Sequence, residues 1–199
     1  VQAMVEENIL ALDATTSSEN DAEIAAGVAG SPNGIGFFGY GHYLTNEADL
    51  QVLSVDGVLP SATSVADGSY PFARPLYLYT SNQVMQSNPA ASLFVNYYLT
   101  NVSDKIEQVG YFPASDASLS RARQNWISAN NLDLASGQWA TIDPTGIGGS
   151  IVVAGSSTVA PLTAHMAGLM GGAGYVGKVQ LASNGTTAGF AAFCAGEAD

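Results

Sequence analysis

Hydrophobic patterning is sharpest in the last quarter of the chain, where the apolar run Ile151, Val152, Val153 and Ala154 leads into Gly155, Ser156, Ser157 and Thr158. A helical pattern follows over residues 160–170, so the spacing predicts strand, hydroxyl-rich turn and helix. Pro161 suits the first helical turn, where its missing N–H costs nothing, and the hydroxyls before it suit the free amides. The same order then repeats. Val179, Gln180, Leu181 and Ala182 make a second strand, residues 183–187 a second hydroxyl turn and residues 188–195 a second helix. If the strands are parallel neighbours, the crossover brings both turns to one edge of one sheet.

Upstream, residues 18–27 read as a capped helix with acidic residues in its first turn, favourable against the helix dipole. Ser31, Pro32, Asn33 and Gly34 form a turn in which Asn33 or Gly34 can take positive φ, and residues 35–40 read as a buried strand. Residues 50–55 alternate weakly as a strand. Residues 70–79 are extended, because Pro71 and Pro75 exclude a helix. Residues 91–100 and 119–130 read as helices, the second carrying Arg121, Arg123 and Trp126.

Composition narrows the classes. In 199 residues, 47% hydrophobic and 11% charged content argue for a folded chain with one or two cores. There is no run of roughly eighteen apolar residues and no N-terminal signal pattern, so membrane insertion is not expected; a secreted precursor would already have lost its signal peptide. A net charge of −12 with five basic residues makes nucleic acid or an anionic membrane a poor partner. It does not forbid a small anion, since local donors dominate at contact distance and salt screens the far field.

Two hydroxyl turns at helix N-termini do supply local donors. Unpaired N–H groups, partial positive charge and neutral Ser or Thr hydroxyls together make a cradle for an oxyanion. Other chemistries find little footing: there is no phosphate-loop or dinucleotide fingerprint and no Cys/His spacing for zinc. His42 and His165 read as packing or surface residues, and no Ser-His-Asp arrangement can be inferred. Phe37, Phe38, Tyr40 and Tyr43 read as core rather than as a sugar site, and the sequons at Asn101 and Asn184 are short motifs of a kind that recur by chance. Cys194 reads as a small buried hydrophobe.

The string GSSTVAPLT at 155–163, followed by SNGTTAGFAAFCAGEAD at 183–199, resembles the beginning of the mature PstS-like phosphate-binding proteins of phosphate ABC transporters. SENDAEIAAGVAGSPNGIGFFGYGHYL at 18–44, VDGVLPSATSVADGSYPFARPLYLYT at 55–80 and FVNYYLTN at 94–101 resemble the second half of the same family. The resemblance implies an α/β periplasmic-binding-protein-like lobe, with a mixed sheet flanked by helices, plus a remnant of a second lobe. It implies a binding protein and not an enzyme, with inorganic phosphate as ligand, no cofactor, an ABC transporter permease as partner and a periplasmic or cell-surface location. Carried over by motif, the phosphate-binding residues are Ser156, Ser157 and Thr158 in the first turn, and Gly185 and Thr186 in the second. The family's aspartate would fall after residue 199 and its arginine loop before residue 1. Arg74 belongs to another segment and is expected in an interstrand or interlobe salt bridge. Cys194 would pair, in the family, with a later cysteine.

End therefore precedes beginning. The expected organisation is the C-terminal half of one repeat over 1–134, a Gly/Ser/Thr/Pro-rich linker over 135–150 and the start of another repeat over 151–199, as a tandem array or a circular permutation. The joined halves are expected to close one lobe whose sheet combines a strand from 70–79 with those at Ile151 and Val179, while residues before about 46 belong to the second lobe. A second class of function remains open: a structural or cell-surface repeat in which neighbouring copies complete each other head to tail.

Overall fold

Asn88 starts the longest helix. Its side chain accepts from the Ala90 and Ala91 amides at 3.2 and 3.3 Å, Pro89 takes the first helical position, and α5 runs over Pro89–Lys105. The computed structural model describes residues 13–133, 139 and 141–199. Ahead of α5 come α1 (Asp21–Ala29), α2 (Tyr40–Leu44), α3 (Ala62–Ala66) and α4 (Asn82–Ser87). After it come a 3-10 turn (Ile106–Val109), α6 (Asp116–Ala129), β1 (Ser150–Ala154), α7 (Ala160–Gly172), β2 (Lys178–Ala182) and α8 (Thr186–Cys194).

α5 is the hub. Leu93, Phe94 and Tyr98 on it are buried with Met85 of α4, Trp126 of α6, Ile151 of β1 and Leu162, Met166 and Met170 of α7. Trp126 Nε1 donates to the Ser92 carbonyl at 2.9 Å, which fixes α6 across α5 and satisfies both buried groups. The fully buried Asn96 accepts from the Ile142 amide at 3.0 Å and so ties the segment ahead of β1 to the same helix. Arg123 donates to the Leu99 carbonyl and lies over the Trp139 ring. Trp139, Ile142 and Ile147, within the expected linker, also lie against this core; residues 134–138 and 140 lie outside the described residues.

β1 and β2 pair in parallel, from Ser150 opposite Lys178 to Ala154 opposite Ala182, with α7 as the crossover. The expected strand–turn–helix repeat is present in both copies. At the other edge of β1, Asp199 Oδ2 accepts from the Val152 amide at 2.8 Å, and the Asp199 amide donates to the Val152 carbonyl at 2.9 Å. The chain is thus α/β in the coarse sense expected, with a small parallel sheet where a mixed one was anticipated.

Three strand expectations fail. Residues 70–79 do not join the sheet, which among the described residues holds β1 and β2 alone. Pro71 and Pro75 remove two ladder donors, and Tyr79 instead sets its ring edge-on to Phe190 of α8 at 5.0 Å. Residues 35–40 form no strand either: Ile35 is 79% exposed, Phe37 44%, and Tyr40 opens α2. The glycines at 34, 36 and 39 interrupt the run, and among the described residues no neighbouring strand offers it a ladder. In 50–55 only Val55 pairs, with Val58, across a turn in which Asp56 and Gly57 take positive φ. The turn after α1 closes through a Gly34 amide to Ser31 carbonyl bond, yet neither Asn33 nor Gly34 needs positive φ.

Two single-residue expectations are also corrected. Arg74 lies over the Phe37 ring, 5.5 Å from its centroid, and not in a salt bridge among the described residues. Cys194 is exposed, because it falls on the outer side of the last turn of α8.

Candidate functional site

Two backbone bonds bring the hydroxyl turns together. The Gly155 amide extends the ladder to the Ala182 carbonyl at 2.9 Å, and the Gly185 amide returns to the Gly155 carbonyl at 3.1 Å. Gly185 sits at φ +98° as it enters α8, a conformation that side chains rarely adopt. One turn further on, Gly189 lets α8 lie directly on the first turn: a Cβ there would stand 2.6 Å from the Gly155 Cα and 2.8 Å from the Ala154 carbonyl oxygen. Ser156, Ser157 and Thr158 therefore share one edge of the sheet with Gly185 and Thr186, as their spacing predicts.

Their hydroxyls are not equivalent. Ser156 Oγ accepts from the Thr158 amide at 3.2 Å and shapes the first turn. Ser157 is buried, and its hydroxyl donates to the Glu19 carbonyl at 2.7 Å while accepting from the Asp21 amide at 3.3 Å. Thr158 Oγ1 donates to Asp21 Oδ2 at 2.6 Å. The Thr186 hydroxyl, by contrast, is on an exposed residue and makes no hydrogen bond to a described residue.

Asp21 is the residue that sequence reasoning missed. Its acidic side chain was expected only to complement the α1 dipole, yet it is buried against a turn 137 positions away. The Gly39 amide donates to the same Oδ2 at 3.1 Å, and His42 Nε2 stands 4.0 Å from it. His42 also lies 3.4 Å from the Ser157 carbonyl oxygen. Gly39 must be a glycine, because a Cβ would meet the Thr158 methyl at 2.7 Å. Tyr111 closes the ring by donating to the Thr158 carbonyl at 2.6 Å. Burial, then the Asp21 carboxylate, then Tyr98 push its phenol up to about 12, so it remains a donor at neutral pH. Glu19 completes the set, its carboxylate close against Gly185.

Chemically this edge offers neutral donors facing two carboxylates. Hydroxyls and amides of that kind can hold any compact anion, and here they hold an internal one. Among the described residues there is no group of three or more His, Cys, Asp or Glu side chains able to ligate a metal ion. Nor is any helix among them long and apolar enough to cross a membrane.

Known proteins resemble this chain in part. Protein SphX of Synechococcus elongatus is 36% identical over 119 residues, covering 57% of this chain and 35% of its own. Protein SphX of Synechocystis is 38% identical over 104 residues, covering 50% and 31%. A third relative is the phosphate-binding protein PstS of Staphylococcus aureus, 28% identical over 98 residues, covering 47% and 30%. The chain resembles PstS-like proteins. It spans about a third of the length of these relatives. No protein-family profile matches the chain, and no solved structure matches it.

Proposed function

We propose that this chain is part of an extracytoplasmic binding protein that captures inorganic phosphate for ABC-type uptake and hands it to a transporter permease. The observation that carries the reading is the Gly185 amide bonded to the Gly155 carbonyl, which sets two hydroxyl turns and two helix N-termini side by side at one sheet edge. Similarity to a phosphate-binding protein over about half the chain supports the choice of anion. In this reading the Ser157, Thr158 and Thr186 hydroxyls donate to phosphate oxygens, Ser156 holds the first turn, and Gly185, without a side chain, lets the ligand approach the backbone once Glu19 gives way. Residues 1–134 and 151–199 are then the end and the start of such repeats, joined through 135–150.

Calorimetric titration with phosphate, and with sulfate as comparison, tests the reading. Saturable heat with phosphate that is lost in the Thr158→Val, Thr186→Val double variant is the expected result. Heat unchanged in that variant sinks the site assignment.

A second reading rests on exposed apolar side chains. Tyr77, Tyr79 and Val176 are 62, 60 and 72% exposed, a display that suits a surface repeat contacting neighbouring copies. Sedimentation across a concentration series separates the two: self-association without phosphate binding selects this alternative.

A further inference from the structure

Anion cradles in proteins are filled by water or by ligand until something competes. Here the competitor is built in. The Ser157 hydroxyl is committed to the Glu19 carbonyl and the Asp21 amide, and the Thr158 hydroxyl to Asp21 Oδ2. The Asp21 carboxylate is itself buried, and it takes the Gly39 amide as a second donor. Glu19 places a second carboxylate against Gly185, at the other turn. Both turns of the proposed phosphate site therefore face acidic side chains from a single stretch, residues 19–21, which enters α1.

We infer that residues 19–21 act as an internal occupant of the oxyanion cradle, so that phosphate binds only as this stretch and the start of α1 withdraw. The inference rests on the phosphate reading above. Its physical basis is competition for the same donors. A carboxylate and a phosphate oxygen both seek the Thr158 hydroxyl, and an attached competitor acts at an effective concentration in the millimolar range or above. Like charge adds to the effect, since a dianion cannot settle beside Glu19 and Asp21 without repulsion. The latch is held mainly by polar bonds: those from Ser157 and Thr158, the Gly39 amide and His42 on Asp21, and Asn20 capping α1 through the Ala22 amide. On the apolar side of α1, Ala25 is buried and Ile24 and Val28 are half-buried.

The test is phosphate affinity by calorimetry in the wild-type chain, in Glu19→Gln, Asp21→Asn, and in a control with the same loss of charge elsewhere, Glu107→Gln, Asp116→Asn, at two exposed positions. The inference expects at least a ten-fold tighter dissociation constant in the first variant and an unchanged one in the control. Equal affinity in all three overturns the latch and leaves phosphate binding standing. Absence of phosphate binding in all three sinks the phosphate reading, and the latch with it. Hydrogen exchange on the wild-type chain avoids any folding defect in the variant: saturating phosphate should speed exchange of the Asp21 and Gly39 amides, and undiminished protection with phosphate bound contradicts the inference.

Discussion

Gly189→Ala is a one-methyl perturbation whose sign the structure decides. In a helix interior alanine is favoured over glycine by about 0.8–1 kcal/mol, so propensity alone makes the variant more stable. The new methyl, however, would stand 2.6 Å from the Gly155 Cα, 2.8 Å from the Ala154 carbonyl oxygen and 2.9 Å from the Gly155 amide nitrogen. All three are backbone atoms of β1 and the first hydroxyl turn, so no side chain can swing away and α8 must retreat by most of an ångström. Overpacking of that kind costs about 1–3 kcal/mol, which outweighs the propensity gain. The net expectation is destabilisation by about 1 kcal/mol or somewhat more. At a urea dependence of about 1–3 kcal/mol per molar, the midpoint falls by roughly 0.3–1 M. Gly168→Ala in α7 is the internal comparison, because nothing lies within 4 Å of its added methyl; it should gain up to about 1 kcal/mol. Urea unfolding followed by circular dichroism reads both. A Gly189→Ala variant as stable as Gly168→Ala would refute the close contact between α8 and the first turn, and with it the apposition of the two turns.

Other consequences are simpler. Burial pushes the Tyr98 phenol up to about 12, opposed in part by its bond to Thr163. The folded pKa lies above the unfolded one, so the contribution is fully present below about pH 10 and is lost as pH rises towards 12, at about 1.4 kcal/mol per pH unit. Urea midpoints measured over that range should show this slope, reduced in Tyr98→Phe; an identical slope in the variant contradicts it. Trp126→Phe removes the second donor to the Ser92 carbonyl, which keeps its own helical partner within α5, at about 0.5–1.5 kcal/mol. Thermal unfolding should show the loss, and an unchanged midpoint would mean that water replaces the indole.

What the sequence disclosed follows the range of the forces involved. The two strand–turn–helix units at 150–194 were legible because apolar period, turn residues and helix start agree within a few positions. α5 and α6 were legible for the same reason. Residues 35–40 and 70–79 carry strand-like composition, but a strand exists only where a neighbour completes its ladder, and local pattern contains no information about that neighbour. Short α3 and α4 hide in loops, where Ser61 and Ser81 reveal themselves as caps only once the following turn is seen. The site divides similarly. Ser156, Ser157, Thr158, Gly185 and Thr186 stand in turns that sequence alone locates. Asp21 reaches Thr158 across 137 positions, and Tyr111 reaches it across 47, through tertiary contacts that no local motif encodes.

The most direct test of the account follows backbone amides by NMR while phosphate is added. The account predicts saturable shifts centred on Thr158, Gly185 and Thr186, with weaker changes at Asp21 and Gly39 as the internal carboxylate gives way. Shifts confined to the basic positions Arg74, Arg121 and Lys178, or none at all, would contradict it.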